Sequence, residues 1–353
     1  MDTLRDFVDY PPINISVMRY SCVYSIPIYM LSMYCVLFVT APKSGNYKWI
    51  VAYHCTISFL FELILNVGMT PISFVPIIGG YTAGFMSVLK IPLTWQIVIV
   101  IILLSETGTS IAQLFHYQYQ QMVPENYFLR IQPLVTNLLF LPSYLFGFIL
   151  NPAFILINIP DQALVKKKLQ DEYVPIPESL LSNSSIIIVD SSKIQLSYYL
   201  IPVLVNLIAG VIGCLYFAFS ITHYLYASDL FRSQQLLKLQ KAVMVELCIK
   251  TSVSLGVFAI PAGIVLVSLL VKQTSQDLIN YCIYCVSSMG TAGNVGMLLS
   301  SPRYRIRLKQ LFLGIRSRYK DSSKAVPKTK VFSSGKQHRR MFVISSRGFS
   351  LTA

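Results

Sequence analysis

Charge is what this sequence most lacks. Asp, Glu, Lys and Arg make up 12% of the 353 residues, whereas a soluble domain carries about a quarter. The shortage argues against the one or two water-soluble domains that length alone suggests. Acids are scarcest, fifteen against 29 Lys and Arg. Histidine is rare too, and neither His54 nor His116 has metal-ligand spacing around it. No metal and no cofactor is therefore expected. HExxH, GxSxG, phosphate-loop and dinucleotide fingerprints are all missing, and no His, Asp or Ser cluster forms, so an enzyme is not expected. The seven Cys all lie in apolar stretches, which is not a secreted disulfide framework. Cys282 and Cys285 have C-x-x-C spacing, but with no His or further Cys nearby they read as small apolar residues.

What the chain does have is hydrophobic residues, 54% of the total, delivered in long blocks. Seven blocks have the 20 or so apolar residues that cross a bilayer. They are approximately 17–39, 49–72, 91–115, 131–157, 197–220, 242–271 and 278–301. Each is expected to be helical, because an isolated strand cannot satisfy its backbone in lipid. The fold expected is an all-α membrane protein, a seven-helix bundle spanning 17–301. Pro142, Pro152 and Pro261 fall inside blocks and read as kinks. Residues 1–16 lack the basic start and cleavage site of a signal peptide, so the first block is expected to be a retained signal anchor. The Gly- and Pro-rich stretch Ser73–Lys90 reads as a turn dipping into the membrane. In the longest loop, about 158–196, Ile186–Val189 is expected to form a short strand.

The charges that exist are lopsided. Fourteen Lys and Arg follow Ser301 with a single acid, Asp321. A basic tail beside a membrane is drawn to anionic lipid on the cytoplasmic face; nucleic-acid binding is not expected of it. With residues 1–16 outside, inner loops and tail hold twenty Lys and Arg and outer segments eight. The tail supplies that bias. Sequons at Asn14 and Asn183 both fall on the expected outer side and are candidate glycosylation sites. After Pro302, Leu308, Leu311, Phe312 and Ile315 share a helical face, with Arg305, Arg307, Lys309 and Arg316 supplying charge. Residues 302–320 are therefore expected to form an amphipathic basic helix on the inner membrane surface. Residues 321–353 read as a disordered basic cytoplasmic tail.

Charged groups inside a bilayer are costly, about 2.5–3.5 kcal/mol at mid-helix, so the few present are candidates for function. Glu62 in the second block has Asn66 one turn away, and Asn294 in the seventh is placed to approach them. They form a candidate polar switch, hydrated or ion-binding, or plain interhelical glue. Glu106 reads as a ligand counter-charge or a partner for Lys250. Glu246 and Lys250, four apart, read as an ion pair near the inner interface or as a contact that shifts when the sixth helix moves.

Several stretches resemble a known family. They include Ile26-Pro27-Ile28-Tyr29, Tyr34-Cys35-Val36-Leu37-Phe38, Thr40-Ala41-Pro42 and Lys48-Trp49 with His54. Pro71, Pro76 and Gly80-Tyr81-Thr82-Ala83-Gly84 follow, then Ile91-Pro92-Leu93-Thr94 with Gln96, Leu239-Gln240-Lys241, and Ser301-Pro302-Arg303-Tyr304-Arg305. Together they resemble the nematode serpentine chemoreceptors of class H, in the Str superfamily of seven-transmembrane G-protein-coupled receptors. There are two departures. The inner end of the third helix, Phe115-His116-Tyr117-Gln118-Tyr119, lacks the acid–Arg pair common in the family. Neither 80–95 nor 158–196 contains Cys, so the extracellular disulfide of rhodopsin-like receptors is absent. The resemblance implies a chemosensory receptor for odorants or other small molecules, at the plasma membrane of sensory-neuron cilia, signalling to a heterotrimeric G protein. The alternative class is a membrane transporter or ligand-gated channel. For a receptor, Trp95, Gln96, Tyr281 and Tyr284 are candidate ligand contacts, placed by geometry near the outer ends of their helices. Arg232, Lys238, Lys241, Arg303 and Arg305 are candidate G-protein contacts.

Overall fold

The computed structural model describes residues 11–40, 46–74, 79–159, 161–172, 187–188, 193–227, 234–271 and 275–312. Six helices are long and apolar enough to cross a membrane, or seven if one bent pair counts as a single span. They are α1 (Pro12–Val39), α2 (Tyr47–Met69), α3 (Leu93–Met122), α4 (Leu134–Ile157), α5 (Lys193–Ala227) and α6 (Gln234–Val271). The bent pair is α7 (Gln276–Ser287) and α8 (Met289–Ser300); α9 (Pro302–Phe312) follows. α1 starts at Pro12, ahead of the expected Val17, because Pro at the first helical position is pre-set for a helix and has no N–H to satisfy. α6 runs unbroken through Pro261. Large apolar side chains such as Phe38, Leu141, Leu215 and Phe219 point outward, as lipid rather than water requires.

The expected turn 73–90 is instead a strand hairpin over its first half. β1 (Pro71–Phe74) pairs antiparallel with β2 (Gly79–Thr82), Pro71 opposite Thr82 and Phe74 opposite Gly79. β3 (Ile187–Ile188), from the long loop, adds to the free edge of β2. An apolar stretch without helix-forming residues satisfies its backbone by pairing rather than leaving it open. Thr70 turns α2 into β1 in the left-handed region, φ 46°. Gly84 then returns the chain against α2 so closely that a Cβ there would lie 2.3 Å from the Gly68 carbonyl oxygen. Asn280 of α7 ties the sheet down, its Oδ1 accepting from Ser73 Oγ at 3.2 Å. Arg19 of α1 donates to the Ala83 carbonyl at 2.5 Å.

α3 packs against α2, α4 and α5, and α8 against α1, α2 and α6. Among the described residues α5 and α6 share no substantial contact. The larger core lies at the end away from the sheet, around Cys35, Leu114, Phe115, Tyr119, Phe217, Met244 and Met297. A smaller one, around Phe61, Leu65, Met69, Leu93 and Met289, lies beneath the sheet.

Over the expected seventh span, about 278–301, α7 and α8 bend by 45° at Ser288. Thr291 N–H, which a regular helix would direct at Ser287, donates to Glu62 Oε2 at 2.9 Å instead. A side chain inserted into the hydrogen-bond ladder is a recognised cause of a kink. Gly290 allows the approach: a Cβ there would lie 2.6 Å from the Ser58 carbonyl oxygen.

Candidate functional site

Glu62 sits fully buried where α1, α2 and α8 meet. Ser25 of α1 donates to its Oε1. Thr291 gives Oε2 both its backbone N–H and its hydroxyl, the latter at 2.7 Å. The expected partners Asn66 and Asn294 are buried as well, yet both amide atoms of Asn66 and Oδ1 of Asn294 have no hydrogen-bond partner among the described residues. The structure thus joins Glu62 to Ser25 and Thr291, which sequence reasoning missed. Their signal was faint: a small hydroxyl residue in an apolar helix is a common interhelical donor.

The other intramembrane charges do not pair as expected. Glu106 accepts from Tyr53 OH at 2.7 Å, because its face of α3 meets α2 rather than Lys250. Its Oε1 is buried without a donor. Lys250 does not pair with Glu246 either. It is 4% exposed, turned into the bundle and not snorkelling to an interface. Its ammonium lies 3.4 Å from Cys55 Sγ and 3.7 Å from Met297 Sδ. Glu246 lies beside Ser301 at the end of α8. His54 Nδ1 meets Ser110 Oγ at 2.7 Å and His116 Nε2 meets Gln120 Nε2 at 2.9 Å, both structural contacts. All seven Cys are free, and no group of metal-binding residues forms among the described residues.

The four candidate ligand contacts are not brought together. Trp95 and Tyr281 are 51% and 54% exposed on the outside of the bundle. Gln96 is buried and donates to the Ile91 carbonyl at 2.7 Å. The Tyr284 hydroxyl lies 3.0 Å from that of Tyr24. The space between helices lies elsewhere: a partly open apolar cavity of about 270 Å³ between α2, α3, α6 and α7, below the root of the hairpin. Phe61, Leu65, Val100, Leu104, Cys282 and Val286 line it, with Met69 and Pro71 towards the sheet. No motif announces such a site, because its residues are ordinary core residues. A larger recess of about 560 Å³ is walled only by the first helix, from Pro12 to Tyr24, and is a groove on its flank rather than a site between helices.

At the opposite end Arg303 and Arg305 are exposed on α9. Lys241 lies 5.6 Å over the ring of Tyr226. Lys238 is in α6 with its side chain outside the described residues, as is all of Arg232. α9 is fastened to α1 by Arg307, which donates to Tyr34 OH at 2.7 Å, and by Tyr304 at 2.8 Å from Thr40 Oγ1. Burial pushes the Tyr304 phenol above its ordinary range, so it stays neutral. Where an acid–Arg pair is missing, a different clamp appears. Arg130, beyond the end of α3, donates to the Val123 carbonyl at 2.8 Å and the Tyr119 carbonyl at 3.1 Å. Its guanidinium lies 5.1 Å from the Tyr119 ring. Tyr119 OH donates to the Leu129 carbonyl at 2.9 Å, which also receives Tyr216 OH at 2.9 Å. A cation at a helix carboxyl end offsets its dipole and satisfies its last carbonyls. Of the sequons, Asn14 lies half-buried in the first turn of α1, and Asn183 falls outside the described residues, as do 313–320 and the tail.

The arrangement is similar to that of a solved structure, the crystal structure of squid rhodopsin. The TM-score is 0.57 at 10% identity, covering 93% of this chain and 95% of that one. The likeness is one of fold. No curated protein sequence matches this chain. Residues 11–314 match the family described as serpentine type 7TM GPCR chemoreceptor Srh, and across that match the chain belongs to this family of seven-transmembrane receptors.

Proposed function

We propose that the chain is a chemosensory receptor at the plasma membrane, in sensory-neuron cilia, with its amino terminus outside. A small molecule bound below the sheet favours one arrangement of helices, and the opposite end then engages a heterotrimeric G protein. The observation that carries this reading is the placement of the cavity. It is walled by α6 and α7, and α6 and the α7–α8 pair also run to the end where the exposed bases of α9 lie. A ligand that binds one arrangement better than another shifts the population. The bend at Ser288, held by Glu62, is the element such a shift would work on, and the buried Asn66 and Asn294 complete the polar switch beside it. Lys241, Arg303 and Arg305, with Arg232 and Lys238, supply the G-protein surface. The basic face of α9 and the tail beyond it rest on anionic inner-leaflet lipid. Asn14 and Asn183 on the outer side carry the glycans.

The test is expression in cells with a calcium or cAMP reporter and a panel of G proteins, with an amino-terminal tag. Tag staining without permeabilisation and a G-protein-dependent response to small odorants are expected. A ligand-gated current that survives G-protein blockade would favour a channel. A tag reachable only after permeabilisation would reverse the orientation.

A further inference from the structure

The geometry points to a small, uncharged, apolar molecule as the occupant of the cavity, arriving through the bilayer rather than from water. This deepens the receptor reading and rests on it for its signalling consequence. Apart from the Cys282 thiol, no described lining side chain carries a charge or a hydrogen-bonding group. The two carboxylates nearest along α2 and α3, Glu62 and Glu106, are not part of the lining; Glu62 is held by Ser25 and Thr291, and one oxygen of Glu106 by Tyr53. A charged or strongly polar ligand would give up its hydration here and receive no partner in return. Selection therefore works through shape and volume. An apolar cavity of about 150 Å³ takes benzene, so 270 Å³ has room for a molecule of roughly twice that bulk.

The route follows from what closes the site. Towards the hairpin, Met69 and Pro71 end the cavity, and the sheet above is fastened by Ser73 to Asn280, by β2 to β3 and by Ala83 to Arg19. On the flank the wall is the seam of α3 and α6, where Ile101 and Val265 are half-buried and α6 has no substantial contact with α5 among the described residues. Molecules that fit the cavity already concentrate in the hydrocarbon outside that seam.

Cys282 is the reporter. The full chain carrying Cys285→Ser is placed in phosphatidylcholine nanodiscs, and modification of Cys282 is followed by mass spectrometry, with Cys282→Ala as the blank. Neutral methyl methanethiosulfonate should react at least about ten-fold faster than its cationic trimethylammonium-ethyl counterpart, which finds no partner in the wall. Alkylbenzenes from benzene to butylbenzene should protect the thiol. Each added methylene should lower the half-protecting aqueous concentration about four-fold until the space is full. Val286→Phe, checked for an unchanged thermal transition, should remove protection by the larger members. Equal rates for the two reagents, an unreactive Cys282, no protection by any alkylbenzene, or unaltered protection in Val286→Phe would each overturn the proposal. Protection without a G-protein response would leave it standing and sink the receptor reading; a response without protection would do the reverse.

Discussion

At the end of the bundle away from the sheet, rings fill the space between helices. Tyr119 and His116 lie 5.1 and 5.3 Å from Phe217, and His116 5.1 Å from Phe140. Beneath the sheet, Phe61, Leu65 and Met69 are buried as deeply, yet the helices there leave a cavity. Both regions are apolar, so the hydrophobic effect does not separate them. They differ in whether side-chain volume matches the gap between helices. The filled end behaves as a jigsaw in which a change in volume is felt; the other end has room to respond.

The sharpest way to break that contrast is at the contact joining the two ends. Gly290→Val drives a Cβ into the Ser58 carbonyl, and should cost about 3 kcal/mol or more, removing most receptor from the cell surface by antibody staining. Glu62→Leu strips three donors, Ser25 Oγ and the two of Thr291, of their acceptor. It should lose about 2–3 kcal/mol in detergent thermal unfolding. Glu62→Gln keeps one carbonyl and should lose less. If Glu62→Gln leaves both surface level and signalling untouched, the switch assigned to this group is wrong. Arg130→Ala removes the clamp at the carboxyl end of α3. A loss of about 1–2 kcal/mol is expected, with basal reporter activity rising several-fold as the loop between α3 and α4 loosens. The smallest effects test the contrast itself. Ala52→Leu, in the filled core, should destabilise by about 1–3 kcal/mol. Ala262→Leu, on the cavity wall, should be neutral or raise stability by up to about 1 kcal/mol while blunting responses to ligand. Equal losses at the two alanines would show that the regions do not differ in packing.

Apolar length is what makes this fold legible in the sequence. A block such as Ile91–Phe115 has few options in lipid other than a helix, and α3 is one. Charge scarcity likewise marks Glu62, Glu106 and Lys250 as unusual. Their partners are not legible, because pairing depends on which face of each helix meets which neighbour. Tyr53 rather than Lys250 meets Glu106, and sulfur atoms rather than Glu246 meet Lys250. The bend at Ser288 is hidden for a related reason: no proline marks it, and its cause sits in another helix at Glu62. The cavity is the least legible feature. Its wall is made of residues common to any apolar helix, mostly Phe, Leu, Val and Ile, and a void is a property of how residues fail to meet.

The three-stranded sheet bears on how the chain is made. β1 and β2 emerge from the ribosome between the second and third helices, but the strand that covers the outer edge of β2 comes from the loop before α5. Pairings between distant parts of a chain form late, because loop closure must be paid for first. Synthesis at ~5–20 residues per second therefore leaves the edge of β2 unpaired while two more helices are inserted. During that interval the nascent receptor presents an open strand at the membrane surface, a template for pairing with another chain. Quality control of this receptor would then hinge on the arrival of a two-residue strand, Ile187–Ile188.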